Sequence, residues 1–308
     1  MIELKNVTKL YGKVIGVNDF TLTLAPGAYG LLGPNGSGKS TLLNLITGQL
    51  RPTLGTVHVM GRSPRNNAEM FKKLGYCPGG EGMYADVSGY DWVRYLQRLQ
   101  GMPGRQADSA AAQSLELVGM TAAMYRPISG YSRGMRQRTK LAQAIAHDPE
   151  FLILDEPFNG LDPIGRHELT LVLRDLIGMG KSLLFASHLL HEIESITQSF
   201  LLICGGRLLA SGTAEEVHAM MVGLPNEITV RCTNPHRLAS RLIGECAAQS
   251  VRITDGTLTV TTQQPGQLYQ KLPGWIAELG VQVFEMRSAD ESLQALFNSL
   301  MKMHRGEL

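Results

Sequence analysis

The stretch YGLLGPNGSGKST, residues 29–41, runs from a short apolar segment into a glycine-rich turn. Its last nine residues have the pattern GxxxxGK[ST]. A phosphate needs several convergent donors and no side chain in the way. Gly33, Gly36 and Gly38 let the backbone wrap closely and aim its N–H groups inward, with Pro34, Asn35 and Ser37 between them. A helix beginning near Ser40 and including Thr41 adds its positive end. Lys39 is placed to reach the outer phosphates of a nucleotide, and the Ser40 hydroxyl to reach Mg²⁺. A strand, a phosphate loop and a helix in this order predict an α/β fold with a parallel sheet.

The segment FLILDEP, residues 151–157, supplies a second part. Four apolar residues read as a strand buried in the sheet, and two acids emerge at its C-terminal end, where open parallel sheets bind ligands. Asp155 is placed for the Mg²⁺ shell and Glu156 for general-base work on an attacking water. Successive strand side chains point opposite ways, so adjacent acids can serve two targets.

About 115 residues lie between Lys39 and FLILDEP, and the end of that interval reads YSRGMRQRTKLAQAI, residues 131–145. With these three segments in order, the chain resembles the ABC-type ATPases, whose signature has the form LSGGQ. Tyr131, Ser132, Arg133, Gly134 and Met135 stand at those five positions. The resemblance implies that Ser132 and Gly134 contact ATP held by a partner chain. It also assigns Tyr11 to stacking on adenine, the loop Asn159-Gly160-Leu161-Asp162 to the segment after the two acids, and His188, at the end of SLLFASH, to the γ-phosphate. The motifs cover residues 1–215. The implied fold is a P-loop NTPase with a RecA-like core, an antiparallel β-subdomain and a helical signature subdomain at about 85–148. The implied cofactors are ATP and Mg²⁺.

The resemblance is closest to ATPases of ABC-2-type exporters. It implies a head-to-tail dimer, a homodimer if the chains are identical, sandwiching two ATP–Mg²⁺. It also implies a membrane permease on a separate chain, with this chain peripheral on the cytoplasmic face of a bacterial-type membrane. Composition fits: no apolar run reaches the roughly 18 residues of a membrane span, and MIELKNVTKLYGK is not expected to be a signal peptide. The net charge of +2 and the absence of a basic arm argue against nucleic-acid binding. Four cysteines without CxxC spacing fit a reducing compartment and no zinc site. ABC ATPases of translation or repair carry two cassettes or a long inserted coiled coil, and this chain has neither.

Helices are expected at 89–99, 107–118, 133–146 and 165–177, and GTVHVMG as a short strand pair. Trp92, Tyr95, Leu96 and Leu99 share a helical face expected to pack on the helical subdomain; any aromatic left exposed there is a candidate permease anchor. A linker near 223–226 divides an ATPase domain, 1–222, from an accessory domain, 223–308. The accessory domain reads β-α-β-β-α-β, a ferredoxin-like α+β order, with Asp255-Gly256 as a hairpin turn and a last helix at about 290–303.

One place departs from the pattern. In GYCPGGEGMY, residues 75–84, Gly79 stands where the family has Gln or Glu. A glycine cannot ligate a metal through a side chain, and Glu81 is a candidate substitute. The departure keeps open a retuned or regulatory ATPase not engaged in transport.

Overall fold

The computed structural model describes residues 2–80, 82–213, 216–217, 226–245 and 248–288. Glu81, most of the expected linker and the expected last helix lie outside them. The chain divides into two compact units, Met1–Thr213 and Ala214–Leu308.

In the first unit, β1 (Ile2–Tyr11) and β2 (Val14–Leu24) form an antiparallel pair. Next, β3 (Ala28–Leu32) passes through the glycine loop into α1 (Lys39–Ile46), and β4 (Leu54–Val59) returns to pair with β1. This gives an antiparallel sheet of order β2-β1-β4. GTVHVMG supplies one strand, not the pair expected. After Val59 the chain turns at Met60 and Gly61, both at positive φ, and only Arg62 returns to bridge Val59.

Beyond α2 (Ala68–Phe71) and β5 (Leu74–Cys77) come three helices, α3 (Gly89–Leu99), α4 (Gly104–Leu117) and α5 (Arg133–Ile145). The chain re-enters the core as β6 (Phe151–Asp155), α6 (Pro163–Gly178), β7 (Ser182–Ser187), α7 (Leu190–Glu194), β8 (Ser199–Cys204) and β9 (Arg207–Thr213). The second sheet has the order β5-β6-β7-β3-β8-β9, parallel except for the antiparallel edge strand β9. Every residue of β6 is buried, as its apolar run requires of a central strand. One apolar cluster joins both sheets through α1, with Leu42, Leu43, Leu45 and Ile46 between Leu4 and Phe20 on one side and Ile153 and Leu184 on the other. Truncating one such leucine to alanine costs about 2–5 kcal/mol.

The helix starts follow their caps. Ser88 accepts from Asp91 N, Ser132 from Met135 N, and Asp162 from Gly165 N ahead of Pro163. The expected packing face of α3 is corrected. Its buried stripe is Gly89, Val93 and Gln97, so Tyr95 and Leu99 turn outward. Trp92 is half-buried and donates from Nε1 to Gln143 Oε1 at 2.6 Å. Gln97 takes a core position because its Nε2 donates to Gln143 O at 3.2 Å.

The second unit contains β10 (Asn226–Cys232), α8 (Pro235–Gly244), β11 (Ser250–Thr254), β12 (Thr257–Thr262), α9 (Pro265–Leu279) and β13 (Val283–Ser288). Its sheet has the order β11-β12-β10-β13 and every neighbouring pair is antiparallel. Asp255 and Gly256 both have positive φ, the conformation of a two-residue hairpin turn between β11 and β12. Ile228, Val230, Leu258 and Val260 on the sheet pack with Leu238 and Leu242 on α8 and with Leu268, Leu272 and Trp275 on α9.

Candidate nucleotide site

The C-terminal ends of β3, β5, β6 and β7 lie side by side, and the loops leaving them carry most of the residues singled out in the sequence. From β3, Gly33 opens the phosphate loop, and Ser37 N donates to Pro34 O at 3.1 Å. Gly36 and Gly38 have φ of 78° and 104°. At Gly38 a side chain is excluded twice, by the backbone conformation and because a Cβ would lie 2.3 Å from Gly16 O. α1 begins at Lys39, one residue before the expected start, so Ser40 and Thr41 occupy its first turn with their amides unpaired to the helix.

Lys39 is buried, and its Nζ sits in the mouth of this loop. It donates to Gly33 O at 2.7 Å and Pro34 O at 3.2 Å, and lies 3.5 Å from Glu156 Oε1. The other carboxylate oxygen of Glu156 lies 2.9 Å from His188 Nδ1. Glu156 and His188 follow neighbouring parallel strands, and Glu156 N donates to Ala186 O at 3.0 Å. Glu156 also has φ of 50°. A non-glycine residue in the left-handed region costs on the order of 1 kcal/mol or more and persists only where its surroundings over-determine it. Here that strain turns the carboxylate away from the strand alternation and toward both Lys39 and His188.

Asp155 is 5% exposed, and its Oδ1 has no hydrogen-bond partner among the described residues. Burial pushes its carboxyl above the ordinary range, and the adjacent Glu156 adds to the rise; the Ser40 hydroxyl, Lys39 and Lys140 act in the opposite direction. Ser37 Oγ is also buried with no hydrogen-bond partner among the described residues. Orphaned oxygens of this kind are uncommon in native interiors and point to a missing ligand. A hard divalent cation beside Ser40 and Asp155 suits this oxygen donor set, and phosphate oxygens suit the amides of the loop.

Tyr11 lies near the same loop. Its Oη is 3.4 Å from Thr41 Oγ1, the residue is 46% exposed, and the Lys9 ammonium lies 5.4 Å from its ring centre. The Pro34–Asn35 tip is the outer part of the turn. Ser132 and Gly134 stand apart. They begin α5 beside the loop after β6, where a Cβ on Gly134 would lie 3.1 Å from Gly160 O. Among the described residues neither hydrogen-bonds to the phosphate loop or to Asp155.

Sequence reasoning missed several supports. Gln137 is buried on α5 and donates from Nε2 to Glu156 O at 3.4 Å. Glu192, also buried, accepts from Ser187 Oγ at 2.5 Å, and that same oxygen accepts from Leu189 N at 3.0 Å, so the turn carrying His188 is pinned on both sides. No sequence signal pointed to Glu192: it lies five residues from Ser187, and the N-cap of α7 is Leu189, so the pair fits no capping pattern. At Gly79 a Cβ would lie 3.1 Å from Asp155 Oδ2, and the candidate substitute Glu81 lies outside the described residues.

Comparison with known proteins gives the same picture. A family model described as ABC transporter matches residues 17–159. The bacitracin transport ATP-binding protein BcrA of Enterococcus faecalis is 31% identical over 98% of this chain and 96% of its own length. A Nod factor export ATP-binding protein I of Rhizobium etli is 30% identical over 88% of this chain and 85% of its own. A solved ATP-binding cassette, dimeric and in a post-hydrolysis state with ADP and Pi, superposes on 69% of this chain and 98% of its own with a TM-score of 0.64 at 21% identity.

Proposed function

This chain belongs to the ATP-binding proteins of ABC transporters, and we propose that it is the ATPase subunit of an exporter, working on a separate permease. The observation that carries the reading is the meeting of Lys39, Asp155, Glu156 and His188 at adjoining strand ends, with Asp155 Oδ1 buried and unsatisfied. The reading as an exporter is supported by relatives named for bacitracin transport and Nod factor export.

The roles follow from chemistry and position. The amides at residues 36–41 and the start of α1 receive the phosphates, and Lys39 exchanges the Gly33 and Pro34 carbonyls for phosphate oxygens. Tyr11 stacks under the adenine. Mg²⁺, held by Ser40 and Asp155, supplies neutralisation of the charge that builds on the phosphates. Glu156 takes the proton of the attacking water, and His188 fixes its carboxylate. Ser132 and Gly134 face the ATP of a second copy, so that two chains close over two nucleotides and part after hydrolysis. Among the described residues no helix is long and apolar enough to cross a membrane. The permease on another chain and the place on the cytoplasmic face of the membrane are read from the relatives, which are named as ATP-binding proteins of transport and export. The second unit, read as a ferredoxin-like module, is an accessory domain.

Tyr84 and Tyr95, 70% and 55% exposed, are the candidate permease anchors. The reading is tested by co-expression with an ABC-2-type membrane protein from the same genome. The pair should co-purify from membranes, and Tyr84→Ala with Tyr95→Ala should weaken that association while leaving ATP binding intact. Undiminished association in the double variant would move the anchor elsewhere. A second reading, a retuned ATPase outside transport, is favoured by Gly79 alone; ATP hydrolysis that the permease never stimulates would support it.

A further inference from the structure

Lys140 is a buried lysine on α5, 4% exposed, eight residues beyond Ser132. Lysines are seldom buried unless the charge is met. Its Nζ donates to Pro78 O at 3.0 Å and to Gly80 O at 3.1 Å, the two carbonyls that bracket Gly79. Bonds from an ammonium are roughly twice as strong as neutral ones. Across the same residue, the position of a Gly79 Cβ lies 3.1 Å from Asp155 Oδ2. Gly79 has no left-handed φ, so a side chain there would meet Asp155 and not a backbone restriction. Three residues earlier on α5, Gln137 reaches Glu156 O at 3.4 Å. Residues at i and i+3 share a helix face. One face of α5 therefore grips the loop after β5 through Lys140 and the residue after β6 through Gln137.

We propose that Lys140 is a positioning residue of the nucleotide site, fixing the turn at residues 78–80 against Asp155 from the helix that begins with Ser132 and Gly134. The turn has no side chain at Gly79 with which to tie itself to the site, so its tie is made through its carbonyls. Movement of α5 when a second copy engages Ser132 is then passed to the turn and to the metal-facing carboxylate together. The inference rests on Asp155 facing the metal.

The test uses the full chain with Lys140→Met, Lys140→Arg and Lys140→Gln, after circular dichroism has shown each to be folded. Losing two charge-assisted bonds in Lys140→Met should raise amide hydrogen exchange in residues 78–80 about tenfold or more. The same variant should lower kcat about tenfold with KM for ATP within about twofold, the pattern of lost positioning. Lys140→Arg, which keeps the charge, should recover most of both effects. Unchanged exchange in Lys140→Met, or a loss that Lys140→Arg does not recover, would overturn the proposal. Should Lys140→Met fail to fold, Lys140→Gln, which keeps a neutral donor on a shorter side chain, decides by the same two readouts; amide exchange in residues 78–80 and kcat both at the wild-type level overturn the proposal. Lys39→Ala separates the two levels. Lost nucleotide binding there, with normal behaviour in Lys140→Met, removes only the role of Lys140. Retained nucleotide binding in Lys39→Ala removes the site reading itself.

Discussion

Glu156 Oε2 lies 2.9 Å from His188 Nδ1, across the ends of two neighbouring strands and 32 residues apart in the chain. The contact fixes one oxygen of the carboxylate while the other faces Lys39 at 3.5 Å. Removing the imidazole in His188→Ala frees the carboxylate to rotate within the site. We expect kcat to fall about 10- to 100-fold, with ATP affinity close to wild type, because positioning of the base and not ground-state binding is lost. Steady-state phosphate release at saturating ATP checks this.

Lys39 supplies the buried charge at the mouth of the loop. Lys39→Ala should weaken ATP binding by about 100-fold or more, as expected for a lost charge-assisted contact to phosphate of about 3 kcal/mol. Equilibrium titration with a fluorescent ATP analogue reads this directly.

The separation of Ser132 from the chain's own phosphate loop predicts complementation between two inactive variants. Lys39→Ala and Ser132→Arg chains should each hydrolyse little alone. Mixed and allowed to exchange, half the dimers are mixed and each has one intact site, so about a quarter of wild-type activity returns. A site complete within one chain would return none.

His147 gives a prediction about pH. Its Nε2 donates to Leu74 O at 3.1 Å, and burial lowers its pKa. The neutral ring is therefore favoured in the fold. Its contribution is full above the unfolded value of about 6.5 and is lost as pH falls through the folded value. Thermal unfolding should show stability declining below about pH 6.5, and His147→Gln should flatten that decline.

How much of this was legible in the sequence depended on how local each signal was. The phosphate loop and FLILDEP are contiguous, and their chemistry follows from spacing alone. The starts of α3 and α5 fall where expected, directly after the caps Ser88 and Ser132, whereas α6 starts at Pro163, two residues before the expected 165, because Asp162 caps it. α2 and α7, of four and five residues, are too short to carry a helical period. The outward turn of Tyr95 and Leu99 was hidden because Gln97, a polar residue, holds a core position by its bond to Gln143. Lys140 was hidden for a different reason. Its partners are carbonyls about 60 residues away, and no side-chain pattern reports a loop that crosses a helix.

The central claim is that this chain hydrolyses ATP with Glu156 as the base. The most direct measurement is phosphate release and nucleotide retention by the wild type and Glu156→Gln, assembled with the permease and Mg²⁺. With Glu156 as the base, the wild type turns over, the rate falls about 100-fold or more in Glu156→Gln, and the variant retains ATP in a stable dimer. Equal rates in the two, or a variant that binds no ATP, would contradict it.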